Sequence, residues 1–150
     1  CVVSILRGDQ LLDTYREFGS TPANLSYGRG RPRPLFKGGA PKVTLAGLPT
    51  SQLHKLFDSH LAEIAEAGLP INWTDFRRYY SQIRKSGFYF SNGELETNLA
   101  AIAVPLHQGE GEVIGALALV TTVNRMAVID QSKLTPLIKR VASEISARLV

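Results

Sequence analysis

"NLAAIAVPLHQGEGEVIGALALV", residues 98–120, decides the fold. It reads as two apolar strands joined by a polar, glycine-containing loop. With the turn at residues 107–112, His107 pairs with Glu112. Ala103 then lies opposite Ala116, Ala101 opposite Ala118, and Leu99 opposite Val120. Side chains alternate along a strand, so Ile102, Val104, Leu106, Val113, Gly115, Leu117 and Leu119 share the other face. The bulky face suits helix packing. The alanine face is too apolar for open water and too small to fill its own side. Interiors do not tolerate large voids, so a closely approaching helix or a ligand must occupy that space.

Upstream, "CVVSILRGDQLLDTYRE" predicts a hairpin in which Val3 and Ile5 alternate with polar or exposed positions and Gly8-Asp9 makes the turn. Its Arg-Gly-Asp is a turn sequence first and an adhesion tripeptide only by letter. A Gly- and Pro-rich stretch follows, with room for short strands near Leu25-Ser26-Tyr27 and Leu35-Phe36. Gly38-Gly39-Ala40-Pro41 opens a helix that runs to about Leu48, with Pro in the first turn, where its missing N–H has no helical acceptor. The next helix spans "TSQLHKLFDSHLAEIAEAG", with Leu53, Phe57, Leu61 and Ile64 as its stripe. Another starts at the Asn72 cap, turns Trp73, Phe76, Tyr80 and Ile83 inward, and ends at Gly87 after Arg84 and Lys85. A strand is expected at Phe88-Tyr89-Phe90. The last helix, from about Gln131 to Leu149, has a stripe of Leu134, Leu137, Ile138, Val141, Ile145 and Leu149. Strands, helices, strands, helix is the order of an α+β domain with a mostly antiparallel sheet.

The 150 residues, 44% hydrophobic and 20% charged, suit one globular domain with a real core. No apolar run approaches the ~20 residues that span a bilayer. No signal peptide is evident, and a cytoplasmic location is expected. The chain starts at Cys1 rather than Met and is expected to be part of a longer protein. One cysteine excludes an internal disulfide, and His54, His60 and His107 are scattered, so no metal site is expected. Glu94 and Glu96 could serve acid–base chemistry, but no histidine, cysteine or serine constellation accompanies them, so an enzyme is not expected. The net charge of +4 implies a mildly basic surface. "GRGRPRP", residues 28–34, resembles an AT-hook core, which lays arginines in the A·T minor groove; direct DNA contact by Arg29, Arg31 and Arg33 is an alternative reading. A second alternative is a ligand-blind dimerisation module, whose alanine face would be filled by a helix.

The Gly38-Gly39-Ala40-Pro41 turn offers backbone N–H groups at a helix start, a setting that attracts anions. A small organic acid would suit both features, its carboxylate at the Gly39-Ala40 amides and its carbon body on the alanine face.

"PLFKGGAPKVTLAGLP", "IRKSGFYFSNGELETNLAAIAVPLHQGEGEVIGALALV" and "LTPLIKRVASEISARL" together resemble the effector-binding domain of IclR-type bacterial transcriptional regulators. The resemblance runs over the whole chain and is strongest from Gly87 onward. It implies a GAF-like fold, a curved, mostly antiparallel sheet flanked by helices. It implies a dimer or tetramer, and a winged helix-turn-helix DNA-binding domain N-terminal to this one, contacting operator DNA. By position, the family's effector pocket falls on Leu25, Arg33, Gly39, Ala40, Ser91, Leu99, Ala101, Ala118 and Val120. Arg33 stands where the family can carry an apolar residue; it turns to solvent or reaches in toward an anion. Family members that bind small keto acids can carry polar or thiol-bearing side chains at several of the positions that are apolar here. An apolar, aromatic or branched carboxylic acid is therefore expected, with Ser91, Arg33 or Lys37 assisting the amides. Zinc, which some relatives bind, lacks its ligands here, and no cofactor is expected.

Overall fold

A computed structural model describes residues 1–17, 32–109 and 111–149. Leu25, Arg29 and Arg31, and the strand expected near Leu25, lie outside them. The chain runs β1 (Val2–Arg7), β2 (Gln10–Arg16), β3 (Pro32–Arg33), α1 (Gly39–Ala46), α2 (Thr50–Ser59), α3 (Leu61–Glu66), α4 (Trp73–Ser86), β4 (Tyr89–Asn92), β5 (Leu99–Gln108), β6 (Glu112–Thr122), α5 (Val123–Ala127) and α6 (Gln131–Ala147). The fold class is α+β. Among the described residues six strands form one antiparallel sheet in the order β3-β2-β1-β6-β5-β4.

Gly8, at φ +63°, turns the first hairpin. Leu35 and Phe36 are not a strand. Both are buried in the same core cluster, and neighbouring residues of a strand would point to opposite faces. The short strand falls instead on Pro32–Arg33.

The predicted helix after Thr50 breaks in two at His60 (φ −129°, ψ 28°). There Ser59 Oγ bonds the Lys55 carbonyl at 2.9 Å, and His60 Nδ1 lies 3.0 Å from that of Leu56. Side chains that take up helical carbonyls in this way compete with the backbone ladder. α4 has the expected caps. The Asn72 side chain accepts from the Asp75 amide, and Gly87 closes the helix at φ +75°.

The β5–β6 hairpin keeps its two faces but not its expected pairing. Gln108 pairs with Glu112, so the loop is one residue shorter than supposed, with Gly109 and Gly111 at positive φ. A bulge then separates His107↔Val113 from Leu106↔Gly115, leaving Ile114 as the extra residue. Each event slips the register by one, and together they slip it by two. Ala103 therefore faces Ala118, Ala101 faces Val120, and Leu99 faces Thr122. Because the side-chain period is two, small residues still meet on one side. Beyond the bulge the faces exchange. Val113 lies beneath Gly47, the C-cap of α1, while Ile114 joins the bulky face where Val113 was expected.

The bulky face carries α6, over Ile102, Val104, Leu106 and Leu117. Its inward stripe is Leu134, Ile138, Ala142 and Ile145. Leu137 and Val141, assigned to the stripe from sequence, are 46% and 37% exposed. The alanine face carries α1, buried along its whole length, with the α2–α4 layer packed outside it. In that layer Phe57, Phe76 and Tyr80 pack ring on ring, with successive centroids 4.9 Å apart.

Candidate functional site

Strand pairing aligns the residues of the inner face in rungs, with the alanines at their centre. One rung holds Tyr89, Ala103, Ala118 and Val2. The next, toward the start of β5, holds Ser91, Ala101 and Val120. The first residue of α1 lands on the first rung. A Cβ on Gly39 would sit 3.0 Å from that of Ala103. Past Gly38 the helix ends, and the second rung has no helix above it. A cavity of about 30 Å³ remains there, lined by Ser91, Leu99, Ala101 and Val120 from the sheet, by Gly38 and Gly39, by Val2, Asp13 and Arg33, and by Leu95 and Glu96 of the β4–β5 corner. The two explanations for small residues thus apply to different rungs: a helix fills one and a cavity lies over the other.

Of the residues expected from sequence, the structure brings Arg33, Gly39, Ser91, Leu99, Ala101 and Val120 around this one cavity. Ala40, in α1, and Ala118, on the rung beneath it, are buried in the main core and do not line it. Leu25 lies outside the described residues.

Arg33 reaches inward. Its Nη1 donates to Asp13 Oδ1 and to Ser4 Oγ, each at 3.3 Å. Asp13 is wholly buried and also accepts from Ser4 Oγ at 2.7 Å and from Arg16 Nη2 at 3.2 Å. An arginine held in this way cannot lie in a DNA minor groove without leaving its buried acid. That removes one arginine from the AT-hook reading; Arg29 and Arg31 lie outside the described residues.

A second polar cluster sits at the α1 start. The Lys42 side chain is 3% exposed, and its Nζ donates to Glu94 Oε1 at 2.8 Å and to the Tyr79 and Tyr89 hydroxyls at 3.0 and 3.4 Å. Tyr89 donates to Glu94 Oε2 at 2.5 Å, and the Gly38 amide to Glu94 Oε1 at 3.4 Å. Burial alone would raise the Glu94 pKa. Hydrogen bonds from Lys42 and Tyr89, the Lys42 charge and the Gly38 N–H outweigh burial and hold it below the usual range. Burial, then the bonds to Glu94 and Tyr79, push the Tyr89 hydroxyl far above its ordinary value. Glu94 is thus committed to an ion pair rather than poised beside Glu96 as a proton carrier.

Sequence reasoning missed Lys42, Asp13, Tyr79 and Tyr89. Two signals were present. Lys42 stands in the otherwise apolar run "APKVTLA", where a buried ammonium requires an acid. Asp13 is two residues from Leu11, on the same inward face of β2.

The family profile described as the C-terminal region of the bacterial transcriptional regulator IclR matches residues 1–147. Solved structures share the fold. The transcriptional regulator YaiJ superposes with a TM-score of 0.84 at 21% identity, over 99% of this chain and 83% of that one. The C-terminal domain of the Escherichia coli regulator KdgR gives 0.76 at 20% identity, over 99% and 85%. The inducer-binding domain of PobR from Acinetobacter, a double mutant in complex with 3-hydroxybenzoic acid, gives 0.72 at 22% identity, over 97% and 85%. A candidate transcriptional regulator from Rhodococcus sp. RHA1, at 24% identity and a TM-score of 0.80, is longer, and this chain spans 59% of it. No curated protein sequence matches. Among the described residues no helix is long and apolar enough to cross a membrane. With the profile matching nearly its whole length, the chain belongs to the IclR family of bacterial transcriptional regulators, as their C-terminal domain.

Proposed function

We propose that this domain senses a small organic acid of apolar or aromatic body, bound over Leu99, Ala101 and Val120. The observation that carries the reading is the rung Ser91–Ala101–Val120, of small side chains with the Ser91 hydroxyl as its one polar group, beyond the start of α1, with Arg33, Gly38 and Gly39 at its rim. An acid would set its carbon body on the alanine rung and its carboxylate toward Gly39, Ser91 and Arg33. The PobR domain, which holds 3-hydroxybenzoic acid on the same fold, supports an aromatic acid as the class to try first. In the whole regulator, binding would bias a DNA-binding domain N-terminal to this one, within a homo-oligomer. The bias cannot exceed the difference in the acid's affinity for the two arrangements.

The test is a thermal-shift titration of this chain with 3-hydroxybenzoate and with aliphatic, branched and keto acids. A ligand of the folded state raises the melting temperature steadily with concentration. Ala101→Val places two methyl groups in a 30 Å³ space and should abolish the shift while the domain stays folded. No dose-dependent shift with any acid, or an equal shift in Ala101→Val, would count against the site.

A further inference from the structure

The cavity is far smaller than the ligand class proposed for it. About 30 Å³ holds a water or two, whereas a benzene-sized guest needs on the order of 150 Å³. Some part of the wall must move. The α1 wall is buried from Gly39 to Ala46, and Leu99, Ala100 and Ala101 of the sheet are buried too. The corner at residues 93–98 differs: none of its residues is fully buried, yet Leu95 and Glu96 line the cavity. Its backbone is closed by Gly93 N–H to the Leu99 carbonyl at 2.9 Å and Leu99 N–H to the Glu96 carbonyl at 3.0 Å, with Gly93 at φ +71°. From near its start the Glu94 carboxylate reaches across to Gly38 at the helix start, to Lys42 and to Tyr89.

We propose that Glu94 is a positioning residue for this pocket: residues 93–98 are its lid, and the Glu94 carboxylate is the latch that holds the lid against the first turn of α1. The proposal rests on the pocket being the ligand site. Gly38 is shared between latch and cavity lining, so an incoming carboxylate competes with Glu94 for the Gly38 N–H and repels it. An anion is then the ligand chemistry that loosens the latch as it enters.

Amide hydrogen exchange tests this without any ligand. Glu94→Gln alone leaves a buried ammonium without its acid and endangers the fold, so the double variant Glu94→Gln with Lys42→Met removes both charges. Tyr89→Phe removes a single bond to the latch. In both variants the Gly93 and Leu99 amides should exchange about tenfold faster or more, the scale of losing one hydrogen bond to a charged group. Ile102 and Val104, at the sheet centre, should keep their rates. Unchanged corner amides, or one common acceleration of corner and centre, would overturn the latch. Because no acid enters the measurement, its result is separate from that of the acid titration.

Discussion

The Tyr80 hydroxyl lies in the core and makes no hydrogen bond among the described residues. Burial pushes its pKa well up, and the nearby Tyr79 and Glu94 add to this. A buried hydroxyl without a partner costs about 1–3 kcal/mol. Tyr80→Phe keeps the ring against Phe76 and removes that cost. It should raise the melting temperature by about 2–4 °C, if 1 kcal/mol is recovered, and calorimetry would show it. The buried polar residues divide by how far sequence could reach them. Lys42 betrays itself by its apolar neighbours. Its partners Tyr79, Tyr89 and Glu94 lie on α4, on β4 and in the β4–β5 corner, 37, 47 and 52 residues away along the chain, and no local pattern announces such a meeting. Arg33 was visible as an oddity. Whether it turned outward or inward depended on Asp13, across the β2–β3 pairing.

At the level of elements, alternation and its pairing separate. Which residues of β5 and β6 share a face follows from period two and was legible. Which residue faces which depends on loop length and on a bulge, and neither leaves a sharp mark in "HQGEGEVIG". Gly115 is the nearest thing to one. A Cβ there would overlap the Ser4 carbonyl, a backbone atom that cannot swing aside. Gly115→Ala should therefore cost about 1–3 kcal/mol or more, read as a fall in the urea midpoint. α6 teaches a related point. Its apolar residues outnumber what one face needs, so two overlapping stripes satisfy the helical period. The sheet selects the one containing Ala142, because a small residue lets the helix approach, and leaves Leu137 and Val141 outside.

For the whole molecule, the sheet is the shared wall of two cores, α6 on one side and α1 with the α2–α4 layer on the other. The Lys42–Glu94 cluster ties α1, α4 and β4 together, so its protonation is a property of the entire fold. Glu94 titrates below its ordinary 4.5 in the folded state. The unfolded chain therefore takes up its proton first as pH falls. The stabilisation is complete above about pH 4.5 and is lost as pH drops through the lower folded value. The double variant Glu94→Gln with Lys42→Met should show a shallower loss of stability on the acid side, measured by denaturant midpoints between neutral pH and pH 3. An unchanged slope would assign the acid limb to other carboxylates.

The contact between Gly39 and Ala103 also constrains how this sequence can drift. Gly39 is already the smallest residue, so enlargement at position 103 has no complementary shrinkage to answer it. Any lineage that gains bulk there must raise the start of α1, and raising it widens the space over the neighbouring rung. Cavity size and helix height are thus inherited together, and a single methyl group is enough to start the change.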